Sequence, residues 1–139
     1  MSNIEQTLSI IKPDAFERNL TDDIKNIFIK NNLKIVNSNK IHISKEEAAE
    51  FYQEHQAKPF YADLCAYLSS GPVFVMILEG EGAVALNRKL MGATNPKDAE
   101  PNTIRKLYGI SIDKNSVHGS DSVENAKKEI NFFFKDWLI

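Results

Sequence analysis

The sequence predicts an α+β sandwich: a four-stranded antiparallel sheet with helices packed on it, in a ferredoxin-like βαββαβ order. Three observations carry that prediction. Strand-like apolar patterns recur in separate segments at 7–12, 33–44 and 73–78, with a short fourth near Val117. Segments with helical spacing divide them without one-to-one alternation. No glycine-rich turn follows the first strand, which disfavours a flavodoxin-like doubly wound sheet, the alternative arrangement. A sheet with helices on one face fits this order.

Thr7 to Lys12 is the first strand, with Leu8 and Ile10 on one face. Lys12 shares their parity, so a strand aims it along the buried face towards the strand's end. Pro13 stops regular pairing there. A lysine in that place is as readily a snorkelling surface group as a site cation. Thr21 or Asp22 caps a helix running to about Asn31, with Ile24, Ile27 and Phe28 as its apolar stripe. From Leu33 to Ser44 the chain alternates. Leu33, Ile35, Ile41 and Ile43 face one way, and Lys34, Lys40 and His42 the other. That is a half-buried strand interrupted by Asn37 and Asn39, with His42 facing solvent.

Ser44-Lys45-Glu46-Glu47 is a capping box, opening a helix that reaches about His55. Lys58-Pro59 breaks it, and a shorter helix covers Tyr61 to Leu68. Gly71-Pro72 leads into Val73–Leu78, a continuous apolar run suited to a central strand. A helix spans Ala83 to Leu90. Gly92 to Asn102, with one glycine and two prolines, is a loop. Asp121-Ser122-Val123-Glu124 reads as a second capping box. The closing helix after it places Val123, Ala126, Ile130 and Phe133 or Phe134 on one face.

The chain has 139 residues, which suits one domain over 1–139. Its formal net charge of −2 argues against a dedicated nucleic-acid surface. Cys65 is the sole cysteine, so no intramolecular disulfide forms, in keeping with a reducing compartment. Its neighbours Leu64, Ala66 and Leu68 mark it as a buried thiol. Met1 to Gln6 lacks the basic and apolar regions of a secretory signal, and Val73–Leu78 is too short to span a bilayer. The expectation is a soluble cytoplasmic protein, without a membrane partner.

The chemistry concentrates at Asn115-Ser116-Val117-His118-Gly119-Ser120-Asp121-Ser122. An imidazole lies beside a glycine and small oxygen-bearing side chains, just before a helix start whose unpaired N–H groups suit an anion. No Walker loop, dinucleotide fingerprint, zinc ligand set or calcium loop is present. Bound phosphate must therefore be held by side chains, for which Lys12, Arg88, Thr94 and Arg105 are the candidates. Each taken singly is an ordinary surface residue, but Arg88 and Arg105 bracket the loop containing Thr94. Tyr52 and Phe60 either stack on a base or pack in the core. A neutral imidazole can attack a phosphoryl group, and the resulting phosphoramidate is itself a good donor, so transfer is reversible. Glu129, two turns into the closing helix, is within reach to orient His118.

Taken together, these segments resemble the nucleoside diphosphate kinase family. The resemblance rests on Asn115 with His118-Gly119-Ser120-Asp121, Ile11-Lys12-Pro13-Asp14, Ser70-Gly71-Pro72, Gly92-Ala93-Thr94-Asn95-Pro96 and Thr103-Ile104-Arg105. It runs from about Gln6 to Phe134. It implies transfer of the γ-phosphate of ATP, or another nucleoside triphosphate, to nucleoside diphosphates by a ping-pong cycle through phospho-His118. Glu129 and Ser120 would hold and polarise that ring. Lys12, Arg88, Thr94 and Arg105 would bind phosphates, with Tyr52 lining the phosphate end. Lys12 and Asn115 would touch the ribose. Phe60 would stack on the base with Leu64 and Ile112 nearby. Magnesium would ride on the nucleotide phosphates, with Asp121 a partner through water and no direct protein ligand. A homo-oligomer, tetramer or hexamer, is implied. Two departures bear on assembly: Asn102 stands where the family usually carries glycine, and the chain stops soon after Trp137.

Overall fold

The computed structural model describes residues 4–53, 56–59, 61–110 and 116–134. The strands are β1 (Ile4–Ile11), β2 (Lys34–Ile41), β3 (Val73–Glu81) and β4 (Val117–Gly119). The helices are α1 (Pro13–Glu17), α2 (Thr21–Lys30), α3 (Lys45–Phe51), α4 (Tyr61–Leu68), α5 (Ala83–Met91), α6 (Ile104–Tyr108) and α7 (Val123–Phe133). The sheet order is β2-β3-β1-β4 and each neighbouring pair is antiparallel. With α2 and α5 as the two crossover helices, this is the expected ferredoxin-like fold.

Helices cover both faces of the sheet, not one. Leu8, Ile10, Val73, Val75 and Ile77 pack with Ala48 of α3, Leu68 of α4 and Ile130 of α7. Ile11, Met76 and Leu78 pack with Ile24 and Phe28 of α2, Met91 of α5 and Ile104 of α6. α3, α4 and α7 lie outside the βαββαβ repeat and close its otherwise open face. Burial on both sides is why β3 is apolar without alternation.

β2 departs from the simple alternation. Its register against β3 shifts between Ile35 and Asn37, leaving Val36 as the extra residue. A shift of one residue reverses every later side chain. Leu33 and Ile35 therefore join the α2 side of the core, whereas Val36, Ile41 and Ile43 join the α3 side. His42 is exposed as expected, and one ring nitrogen lies 2.8 Å from the Ser69 carbonyl.

The helix starts differ in how they are capped. The Ser44 box forms both bonds, with Glu47 N–H donating to Ser44 Oγ (3.1 Å) and Ser44 N–H to Glu47 Oε1 (3.0 Å). α3 ends at Phe51 before reaching His55, which lies outside the described residues. Thr21 is the first helical residue of α2 rather than its cap. Leu20 occupies the cap without a side-chain bond, and Asp22 and Asp23 supply the first-turn charge instead. The cap of α7 is Ser122, whose Oγ accepts from Asn125 N–H at 3.1 Å. Asp121 instead accepts from the Asn125 side chain at 2.5 Å, so Asp121 and Glu124 form no box. Val123 is 43 % exposed and off the core face. α1 and α6, five residues each, are too short for periodicity to reveal.

Candidate active site

His118 sits in the middle of β4, opposite Ile10 of β1. The short strand expected near Val117 is β4, so the imidazole lies on an edge strand, and α7 begins only at Val123. Val117 points into the α2 side of the core, so His118 faces α3 and α7. Gly119 follows it because α5 approaches closely. A Cβ there would meet Asn87 Nδ2 at 2.3 Å and Met91 Sδ at 2.9 Å.

One carboxylate oxygen organises the imidazole. Glu129 Oε1 lies 2.9 Å from His118 Nε2 and accepts from Ser120 Oγ at 2.8 Å. Ser120 is fully buried, and its Oγ in turn accepts from the Leu8 amide at 3.3 Å. That amide can only donate, so the serine proton is directed to Glu129. In the neutral imidazole, a carboxylate acceptor at Nε2 selects the tautomer with the proton on Nε2, which leaves the lone pair on Nδ1. The His118 side chain is 21 % exposed, enough to meet a ligand.

Cations gather on the same end of the sheet. Lys12 is buried in extended backbone after β1, and its N–H donates to the Ser116 carbonyl at 2.8 Å. It heads α1, with Pro13 in the first turn. Arg105 of α6 is buried, with Nη1 donating to the Gly92 carbonyl (3.0 Å) and Nη2 to the Val117 carbonyl (2.9 Å). Its Nε has no partner among the described residues. Burial, then the nearby Arg88 charge, brings its pKa down to about 10. Arg105 is held near a second guanidinium at a cost to its own ionisation, which prepares the site electrostatically for an anion. Arg88 and Thr94 are exposed.

Tyr52 lies close to both Glu129 and Arg105. It is buried, and its hydroxyl is held well above the usual phenol range by burial first and the Glu129 charge second. It therefore stays a neutral hydroxyl beside the carboxylate. Leu64 is half-buried against the core that contains Tyr52, and Cys65 is a buried free thiol there. Asp121 is exposed, and Asn125 holds its carboxyl below the ordinary range. Phe60, Ile112 and Asn115 lie outside the described residues, as does Trp137.

Several contributors were not foreseen. Asp14 and Tyr67 clasp one another: Asp14 N–H donates to Tyr67 Oη at 2.8 Å, and Tyr67 Oη donates to Asp14 Oδ1. Arg18 bonds Asp14 Oδ2 at 3.2 Å and reaches the Tyr108 carbonyl. Ser116 Oγ donates to Asp14 Oδ2 at 3.4 Å. Ser116 is itself fully buried with φ +77°, a left-handed conformation costly for serine. This network secures the turns that carry Lys12 and His118. Its members are up to 102 residues apart, so no local pattern discloses them.

A family model described as nucleoside diphosphate kinase matches residues 5–138. The chain is 57 % identical over 131 residues to the nucleoside diphosphate kinase of a Nitratiruptor species, covering 94 % of this chain and 96 % of that protein. Among solved structures, the nucleoside diphosphate kinase of Aquifex aeolicus superposes with a TM-score of 0.93 at 40 % identity, covering 94 % of this chain and 95 % of that one. The halophilic enzyme of Halobacterium salinarum, solved in complex with CDP, superposes at 0.91 with 42 % identity, covering 95 % and 88 %.

Proposed function

The chain belongs to the nucleoside diphosphate kinase family, and on that premise we propose that His118 relays the γ-phosphate of ATP, or another nucleoside triphosphate, to nucleoside diphosphates. The carrying observation is the Glu129 oxygen shared by His118 Nε2 and Ser120 Oγ, which leaves Nδ1 as the basic nitrogen. The Nδ1 lone pair attacks the γ-phosphorus. A P–N bond forms, the bridging P–O bond breaks, and its electrons leave with the nucleoside diphosphate. A second diphosphate then attacks with a terminal oxygen, and the P–N bond breaks. Nε2 keeps its proton throughout, and Glu129 stabilises the positive charge that develops on the ring.

Lys12, Arg88, Thr94 and Arg105 bind the phosphates in this reading. The tethers of Arg105 to two carbonyls fix its plane, so it serves as a pre-positioned charge. Tyr52 lines the phosphate end. Leu64, Phe60 and Ile112 form the base slot, and Asn115 meets the ribose. An apolar slot that stacks on a base face discriminates weakly between bases. Magnesium would enter as part of the nucleotide substrate, with Asp121 as its partner through water.

One domain carries all of these residues. Ile4, Ile29, Leu107 and Ile110 are each more than half exposed, which supports burial in a homo-oligomer, tetramer or hexamer. Among the described residues no helix is long and apolar enough to cross a membrane. The free thiol at Cys65 supports a cytoplasmic setting.

The test uses γ-labelled ATP with magnesium, followed by an unlabelled diphosphate. Acid-labile, base-stable label should appear on His118 and chase onto the diphosphate. His118→Ala exchanging phosphate at the original rate would overturn the proposal.

A further inference from the structure

A single bond from Nε2 to Glu129 fixes where one nitrogen sits but leaves the imidazole able to swing about that contact. Phosphoryl transfer is in line, so the heading of Nδ1 matters as much as its basicity. Phe51, the last residue of α3, supplies a second contact. Its ring centroid is 5.2 Å from that of His118, with the planes at 73°. The same ring meets Tyr52 at 5.2 Å, Phe132 at 5.7 Å and Phe133 at 5.3 Å. It is therefore braced from α3 and α7 while it touches β4. Phe51 and Phe132 also line a cleft of about 360 Å³ that reaches Glu129. The Phe51 ring thus borders the cleft and also touches the imidazole.

We propose that Phe51 is a positioning residue for phosphoryl transfer, holding the His118 ring in its heading through the edge-on contact. The inference rests on His118 being the phosphate acceptor. Replacing the ring by an aliphatic group keeps most of the volume but removes the edge-on contact, and aromatic pairs of this kind have energies matching roughly a 2- to 10-fold change in an equilibrium or rate.

The experiment is single-turnover phosphorylation by Mg-ATP in a quench-flow instrument, on the intact protein and on Phe51→Leu, Phe51→Met and Phe51→Tyr. Rates are taken per folded molecule across ATP concentrations. The same proteins are examined by ¹⁵N NMR of the His118 ring. Phe51→Leu and Phe51→Met should phosphorylate about fivefold more slowly with ATP affinity unchanged. They should also show a smaller share of the Nε2–H tautomer. Phe51→Tyr, which keeps the ring, should match the parent. Unchanged rates and tautomer in the aliphatic variants overturn the inference, as does a loss confined to ATP affinity. If the parent itself takes no label on His118, it is the proposed function that fails.

Discussion

Strand β3 runs nine residues, has a partner on each side and is buried on both faces, whereas β4 runs three residues and, among the described residues, pairs only with β1. β3 holds both halves of the core together. β4 contributes a single side chain to each half and takes its position from groups around it: the Lys12 amide, Ser120, Arg105 and the close approach of α5. The contrast shows where this fold keeps its stability and where it keeps its chemistry. A central strand buried on both faces has no room for a reactive group that must meet a ligand. An edge strand has one side free of pairing and can expose a side chain at the sheet's end.

If the division holds, damage to β3 should cost stability without touching the chemistry of molecules that remain folded. Met76 is fully buried on the α2 side, and Met76→Ala should destabilise by about 3 kcal/mol, seen as a lower denaturant midpoint. Turnover per folded molecule should stay within twofold of the parent; a tenfold drop would show that the two strands are not separable. The converse lesion is Glu129→Gln. It keeps the shape and removes the charge from the shared oxygen, so single-turnover phosphorylation should slow about 10- to 100-fold, matching the loss of charge-assisted hydrogen bonds. Its melting temperature should barely move.

Gly119→Ala tests the join between the two regimes. The added Cβ has no space against the Asn87 and Met91 side chains, so these buried groups of α5, or β4 itself, must give way. We expect a loss of about 1–3 kcal/mol by chemical denaturation together with slower phosphorylation, since His118 moves with its strand. A stability loss with the parent's rate would mean that α5 yields and β4 does not. The smallest effect belongs to Asn102, which lies at φ +68°. Asn102→Gly relieves a left-handed angle that asparagine already tolerates and adds freedom to the unfolded chain. The two nearly cancel, and calorimetry should show a shift of no more than about 2 °C.

The same contrast governs what could be read in advance. β3 was legible because six apolar residues in a row have few other uses. The antiparallel order followed from element spacing and the missing glycine turn. Asn102 was recognisable as a residue standing in a glycine's conformation. The face reversal in β2 was not legible, because nothing local distinguishes a bulge at Val36 from plain alternation. At the site, the residue types were apparent but not their attachments. Arg105, taken singly an ordinary surface residue, is in fact buried and anchored on two carbonyls. Phe51 carries no local signal that sets it apart, since its ring contact with His118 joins α3 to β4. The Asp14–Tyr67–Arg18 clasp joins segments that only the folded sheet brings together. Local patterns report periodicity and end caps; a contact between distant segments leaves no periodic trace.

The hydrogen bond from the Leu8 amide to Ser120 has a consequence for the cycle as a whole. A backbone amide cannot be turned round or titrated, so the polarity running from Leu8 through Ser120 to Glu129 has one direction for the life of the folded chain. In the proposed reaction the imidazole begins each half-cycle with its proton on the Glu129 side and ends it with that proton in the same place. Only the phosphoryl group changes hands. The relay therefore resets without borrowing a proton from solvent, and forward and reverse transfer start from the same wiring.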